Sequence, residues 1–575
     1  MRGDEFVVQA QRNRTESVSL PAPRGLLLDR NGVVLATTRP AYAISVVPKL
    51  LPSKRREREE RERILGTLAF LLEITPAEIE KRLTEAVNFR AFDPVPIKES
   101  VDLATITRIE ENGARLGRAV LVTNDLKRHY PQGRLASHIL GYTGVVNERD
   151  LERAKARGKS YAFDDKIGKS GVERFYDAKI RGQRGAQIFE VDAMGKPLRN
   201  RDTRPDVPGA TLKLTLDAKL QRAAESALAK ARNNGAIAAI DPRNGEVLAL
   251  ASRPDFDPNM FSLSREEFSK AYRAIAANSG KPLLNRAVVS ALPPGSTFKP
   301  ITASAGLEKG VVGPGWSVSC PGHYYFGRRF GCNAVHGGGE NLNEAIADSC
   351  NVYFYQLSLK FGDPSSSGPH YLAGVARRFG LGRDSGIDLP IDGKGLIPDP
   401  DWRRRINKKR PDLAFWQPGN TLNMSIGQGD VLATPLQMAL MTGAIANGGT
   451  LYKPRLMREI VGRDGKVLEK SAPSGENVGI SRRNIDLVRA GMRSVVVKGT
   501  GRGAAMKHVA VAGKTGSAQD SGGKRAHSWW ICFAPYENPR IAIAALVENS
   551  GHGSENALPA AQEVLKAAFP APVSE

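Results

Sequence analysis

Residues 293–300 read PPGSTFKP and set a serine three residues ahead of a lysine, Ser296 and Lys299, behind two prolines and a glycine. A serine hydroxyl becomes a nucleophile only when a neighbouring base takes its proton. A lysine amine can be that base only when burial or a second cation lowers its pKa. A helix starting at Gly295 or Ser296 puts both side chains on one face about one turn apart, and Pro293 and Pro294 stop any helix before it. Alone, the tetrapeptide reads more simply as a helix cap and a solvated charge. Two later patterns stand in the order a serine acyl-transfer site needs: Ser349-Cys350-Asn351, 53 residues beyond Ser296, and Lys514-Thr515-Gly516, 165 residues beyond Ser349. A hydroxyl at Ser349 can pass a proton between the base and a leaving or incoming amine. Asn351 can hold both the lysine and a substrate amide. Lys514 adds a second positive charge, expected to depress Lys299 and to attract a substrate that ends in a carboxylate. Gly516 leaves a strand edge bare for a peptide to add as a further strand, while Thr515 and Ser517 offer hydroxyls to its carboxylate.

The surrounding stretches read as the elements that must hold these residues. VAVAGKTGSAQ (509–519), HSWWICFAPY (527–536) and RIAIAALVEN (540–549) are spaced as neighbouring antiparallel strands. GAIAAIDPRNGEVLALAS (235–252) reads as two strands joined by the turn DPRNG, and LKLTLDAKLQRAAESALAKA (212–231) as a strand running into an Ala-rich amphipathic helix. Just before it, the polar stretch RNRDTRPDVPG marks a domain junction, dividing the chain into residues 1–208 and 209–575. The first 200 residues are irregular and hold no catalytic constellation. AYAISVVP (41–48) reads as a strand there, and ITPAEIEKRL (74–83) as a helix with a capping box of Thr75 and Glu78 around Pro76.

A chain of 575 residues calls for two to four domains, and 41% hydrophobic with 25% charged residues suits a soluble globular protein. The net charge of +23 invites nucleic acid as a partner. No zinc-finger spacing, RNP-like motif or P-loop supports that, and KRREREERERIL from Lys54 alternates acid with base as an ion-paired helix does. An anionic lipid surface or anionic polymer is the better use of the charge. No run of 18 apolar residues is present, and the N-terminal MRGDEFVVQAQRNRT has no apolar signal core.

The triplet STFK, SCN and KTG resembles that of the penicillin-recognising serine acyl transferases, the penicillin-binding proteins and serine β-lactamases. APRGLLLDRNGVVLA (22–36), RHYPQGRLASHILGYTG (128–144) and GKSGVERFYDAKIRGQRG (168–185) are similar to the N-terminal boxes of the class B penicillin-binding proteins, and YTG followed by GKSGVE to the elongation-specific type 2 among them. FKPITASAGLE (298–308) and MSIGQGDVLATPLQMA (424–439) match as well, so the resemblance runs from Pro21 to about Phe569. It implies an α+β multidomain fold: a largely non-catalytic pedestal with anchor and head subdomains, then a transpeptidase domain with an antiparallel sheet flanked by helices. Ser296 would open a buried helix and Lys514 lie on an edge strand. Ser296 would attack the penultimate D-alanine carbonyl of a peptidoglycan stem peptide, expel the terminal D-alanine and pass the acyl group to an amine of a neighbouring stem. Backbone N–H groups of Ser296 and Ser517 would form the oxyanion hole. Arg24, Arg128, Glu173 and Arg181 would be structural ion pairs in the pedestal.

The resemblance further implies β-lactam antibiotics as ligands and a SEDS-type membrane glycosyltransferase as partner. It also implies work during cell elongation at the outer, periplasmic face of the cytoplasmic membrane, on a single-pass anchor that would end where this chain begins. A division-type class B transpeptidase and a mainly scaffolding activator are the alternatives. A β-lactamase or D,D-carboxypeptidase is disfavoured, since the chain has no suitably placed SDN box or E-x-x-x-N deacylation motif and the pedestal is superfluous to a small hydrolase.

Cys320, Cys332, His336 and Cys350 form a C-x11-C-x3-H-x13-C set in a Gly-rich stretch. Relatives of type 2 hold zinc in this region through ligands that include carboxylates, with Cys350 and the histidine as the positions that carry over. Three thiolates and an imidazole make a closed tetrahedral site that stabilises without catalysing. A Cys320–Cys332 disulfide and a plain buried Cys350 thiol are the competing readings.

Overall fold

Five antiparallel strands form the central sheet, in the order Val247–Arg253, Gly235–Ile240, Ile541–Val547, His527–Ala534 and Ala512–Ala518. Its three C-terminal strands are the three expected neighbours. His527–Ala534 and Ile541–Val547 are buried at every position, which an apolar run achieves only when helices cover both faces. The helix Pro435–Ala446 is likewise buried along its whole length and packs against this sheet. Ala218–Ala231, capped by Asp217, and Ala557–Ala568 lie side by side against the sheet. This computed structural model describes residues 15–86, 93–156, 161, 165–191, 197–519 and 522–572.

A second sheet joins the two halves of the chain. Met457–Val461 and Val467–Lys470 from the C-terminal half pair onward through Thr211–Leu214 to Leu27–Leu28 and Val34–Val46 of the pedestal, where Val95–Glu99 and Val120–His129 complete it. The junction near residue 208 is therefore bridged by backbone hydrogen bonds. Above it a separate core gathers under the helices Arg58–Leu72 and Pro76–Glu85, the latter opening on the expected Thr75–Glu78 capping box.

The pedestal boxes converge on Glu173, which is wholly buried. Arg24 Nε donates to its Oε2 and Arg128 Nε to its Oε1, while Arg24 Nη1 reaches Asp177 at 2.8 Å and Arg128 Nη1 the Gly25 carbonyl at 2.7 Å. Arg181 joins at the rim, pairing with Asp177 at 3.9 Å and with Asp165 at 3.3 Å. Burial pushes the Glu173 carboxyl up, but Arg128 and Arg24 outweigh it and hold the group below its ordinary value of 4.5. Such a carboxylate stabilises the fold above that pH, and the contribution is lost on acidification through the lower, folded value. Glu173→Ala leaves the buried Arg128 guanidinium without a carboxylate and Arg24 with Asp177 alone, and is expected to cost about 3–5 kcal/mol. Thermal melts should show the loss at neutral pH, with penicillin acylation retained by the molecules that stay folded.

Candidate active site

Gly295–Phe298 form a 3-10 turn that runs straight into the helix Lys299–Glu308. In a 3-10 turn residues three apart eclipse, so Ser296 and Lys299 share a face as their spacing predicts. Gly295 is required by two constraints: its φ is +56°, and a Cβ there would stand 2.7 Å from the Ser517 carbonyl oxygen. Its N–H donates to Gly427 O at 2.9 Å. Pro294–Gly295 thereby wedge the turn between the KTG strand and the SIGQGD loop, leaving Ser296 half-exposed and Lys299 fully buried.

Lys299 Nζ donates to Ser349 O at 2.6 Å, Asn351 Oδ1 at 2.7 Å and Ser349 Oγ at 3.2 Å. From the other side Lys514 Nζ donates to Ser349 Oγ at 2.8 Å and to Thr515 O at 3.0 Å. Ser349 lies between the two lysines with φ at +59°, a conformation a non-glycine residue keeps only where its surroundings enforce it. Asn351 opens the helix Asn351–Leu359, and its Nδ2 donates to Gly331 O at 3.0 Å. Ser296 Oγ has no hydrogen-bond partner among the described residues. The three bonds of Lys299 match the three N–H donors of an ammonium; the neutral amine keeps two and frees a lone pair for the Ser296 hydroxyl. Burial lowers the Lys299 amine to about 8, against the opposing pull of Cys332, Cys350 and Cys320. Lys514 is lowered as well, through burial first and the Lys299 charge second. The depression of Lys299 thus comes from burial, whereas the sequence pointed to the neighbouring lysine. Lys514 is also fully buried, turned to Ser349, and not an outward cation.

Ala512–Ala518 is the sheet's edge strand, in register with Thr515 opposite Trp530 and Ser517 opposite Ser528. A Cβ on Gly516 would meet Thr297 Cγ2 at 2.8 Å and Pro294 O at 2.9 Å, so glycine is what allows the nucleophile's turn to lie against this strand. Thr515 Oγ1 shares a hydrogen bond of 2.7 Å with Thr500 Oγ1, and Ser517 Oγ lies 3.3 Å from His552 Nδ1.

The ligand atoms of Cys320, Cys332, His336 and Cys350 all lie within 4.8 Å of one another. His336 Nδ1 is 3.4 Å from Cys320 Sγ and 3.7 Å from Cys332 Sγ. Ligands bound at about 2.3 Å in a tetrahedron stand roughly 3.8 Å apart, so the donor set fits a zinc ion in number, type and spacing. No disulfide joins these cysteines. A hydrogen bond from the Cys350 thiol draws Cys332 down to about 4, and the same contact drives Cys350 up. Cys332 Sγ in turn accepts the Asn351 N–H at 3.1 Å, which ties the cluster to the catalytic tripeptide.

Residues 235–569 match the penicillin binding protein transpeptidase domain and residues 19–214 the penicillin-binding protein dimerisation domain. The peptidoglycan D,D-transpeptidase MrdA of Acinetobacter baumannii is 34% identical over 96% of this chain and 81% of its own. The chain belongs to the class B penicillin-binding proteins of type 2. It is accordingly a peptidoglycan D,D-transpeptidase, a serine acyl transferase with two-domain architecture. Penicillin-binding protein 2 of Helicobacter pylori, solved in complex with MreC, superposes with a TM-score of 0.79 at 26% identity, covering 97% of this chain and 100% of that one. A chain from a peptidoglycan synthase complex that coordinates polymerisation and crosslinking gives 0.76 at 31% identity, over 100% and 96%.

In this penicillin-binding protein, Ser296, Lys299, Ser349, Asn351, Lys514, Thr515, Gly516 and Ser517 come together at one groove, with the thiol cluster behind Asn351. Three neighbours escaped the sequence reading. Gln428 Nε2 donates to Ser517 O at 3.2 Å, Thr500 engages Thr515, and His552 stands at Ser517. SIGQGD was seen as a matching stretch, but no spacing rule assigns Gln428 a task. Thr500 and His552 lie outside every motif.

Proposed function

We propose that Ser296 is the acylated nucleophile, Lys299 its base, Ser349 the proton relay, Asn351 the clamp on both lysine and substrate amide, and Lys514 the group that sets the relay's charge. The carrying observation is the line Asn351–Lys299–Ser349–Lys514, hydrogen-bonded throughout with both lysines fully buried, and Ser296 one 3-10 turn ahead of Lys299. Lys299 as the free amine takes the Ser296 proton while Oγ bonds to the carbonyl carbon of the penultimate D-alanine. The backbone N–H groups of Ser296 and Ser517 receive the oxyanion. Collapse breaks the bond to the terminal D-alanine, whose amine leaves with a proton delivered through Ser349. The acceptor amine of a second stem returns a proton by the same path as it displaces Ser296. Thr515, Gly516 and Ser517 present the strand edge along which the donor peptide lies, with the hydroxyls toward its carboxylate.

Residues 1–208 serve as the pedestal and 209–575 as the transpeptidase unit. The setting is cell elongation at the periplasmic face of the cytoplasmic membrane, with a SEDS-type glycosyltransferase supplying nascent strands. A scaffold of the MreC kind, found with the Helicobacter pylori relative, is a further partner. No helix among the described residues is long and apolar enough to cross a membrane. Reconstitution with a SEDS glycosyltransferase and lipid-linked substrate tests the reading: crosslinked product should form and should vanish with Ser296→Ala. Crosslinking that survives this change would refute it, and polymerisation stimulated without any crosslinking would leave only the scaffold.

A structural zinc at Cys320, Cys332, His336 and Cys350 fits the same reading, stabilising the loop behind Asn351. Purified protein should carry about one zinc per chain. Cys332→Ser should lower both the melting temperature and the acylation rate; well under one zinc per chain would exclude the site.

A further inference from the structure

The groove has a basic flank that acyl transfer does not use. One part is the hairpin of His323–Phe326 and Arg328–Gly331. Its last residue is fastened to the catalytic region, since Gly331 O accepts from Asn351 Nδ2 at 3.0 Å and from Tyr355 OH at 3.2 Å. The hairpin exposes Arg328, Arg329 and Tyr325, the last at 72%. Phe330 turns away from Tyr325 and Arg329, carries the Arg328 guanidinium 4.8 Å over its ring, and packs on Gly419, where a Cβ would stand 3.1 Å from that ring. Gly419 belongs to the helix Pro418–Ser425, which ends just before the Gly427 that anchors Gly295.

The second part enters the same helix from the other side, through DWRRRINKKRPDLAFW (401–416). Arg403 Nη1 lies 3.5 Å from Asp430 Oδ2, two residues past the Gln428 that donates to Ser517 O. Arg404 pairs with Asp401 and Arg410 with Asp412. Arg405, Lys408 and Lys409 are exposed and, like Arg328 and Arg329, have no anionic partner among the described residues. Phe415, 67% exposed, closes the same segment.

One other charged face shows the paired alternative. In the helix Arg58–Leu72, Arg58 pairs with Glu62, Arg61 with Glu80 and Arg63 with Glu60. Arg328 and Arg329 adjoin in one strand, and Arg405, Lys408 and Lys409 in one short segment; like charges so placed repel one another, and an anionic ligand relieves that repulsion. The interleaved rings add flat apolar surface that a sugar face can cover.

We propose that this flank is a docking ledge for a glycan strand bearing anionic stem peptides, holding the polymer while one stem enters the groove. The proposal rests on the transpeptidase reading above for the identity of the polymer. An anionic membrane surface is the rival occupant; the ledge's continuity with the catalytic groove favours the polymer.

The test is co-sedimentation of the full chain with purified peptidoglycan sacculi at stepped salt. Sacculi whose carboxyls have been amidated, and vesicles containing phosphatidylglycerol, run in parallel. Wild-type protein should bind native sacculi in a salt-sensitive way and lose that binding on amidation. The triple change Arg405→Glu/Lys408→Glu/Lys409→Glu should weaken it on the order of tenfold. Penicillin acylation should stay within about twofold, as these side chains make no contact with the catalytic residues. Arg329→Glu, on the separate hairpin, should weaken binding too and decides the matter if the triple variant does not acylate penicillin. Undiminished binding by both variants, binding indifferent to amidation, or vesicles preferred over sacculi would each overturn the ledge. Failure of wild-type protein to acylate with penicillin would instead strike the transpeptidase reading.

Discussion

Ser296→Ala should abolish acylation by penicillin, a fall on the order of 10⁴-fold or more, while leaving the fold intact. No other hydroxyl in the groove can stand in. Ser349 Oγ receives hydrogen bonds from both lysines, Thr297 Oγ1 donates to Pro294 O at 2.7 Å, and Ser517 Oγ is engaged by His552. Ser296 Oγ, by contrast, has no partner among the described residues, so its removal breaks no internal bond and should shift stability by no more than about 0.5 kcal/mol. A fluorescent penicillin measures the first quantity and a thermal melt the second. Residual labelling at a tenth of the wild-type rate would mean that another group is the nucleophile.

Lys299→Ala should slow acylation on the order of a hundredfold or more, since it removes the base. Some stability goes with it, because Ser349 O and Asn351 Oδ1 are then buried without their donor. Lys299→Arg separates the two effects: a guanidinium keeps donors in place but holds its proton at every accessible pH, so the rate should stay low while stability partly recovers. The pH profile carries the same signature. With the amine lowered to about 8, the productive unprotonated form grows as pH rises, and the wild-type rate should climb through neutrality and level off above about 8. A rate flat from pH 6 to 9 would argue against Lys299 as the base.

The arrangement of the catalytic half was readable because its signals are local and mutually consistent. Ser296 and Lys299 are held on one face by a single turn, and the apolar runs around Lys514, Trp530 and Ala544 could only be adjoining strands. The Thr75–Glu78 cap was readable for the same reason. What the sequence left hidden depends on contacts between distant segments. Burial of Lys299 decides its pKa, and the partners it meets there, Ser349 and Asn351, lie some fifty residues away. Asp177, which no spacing singles out, ties the pedestal cluster together by pairing with Arg24 at 2.8 Å and with Arg181 at 3.9 Å, while Arg181 also reaches Asp165. The sheet that carries Met457–Val461 onto the pedestal strands is a pairing between segments about 245 residues apart or more, which no local period announces.

Peptide mapping of the covalent adduct tests the central claim most directly. After incubation with penicillin and proteolysis, mass spectrometry should find the added mass on the peptide containing Ser296, and fragmentation should place it on that residue alone. An adduct on any other residue, Ser349 and Ser517 included, would contradict the account.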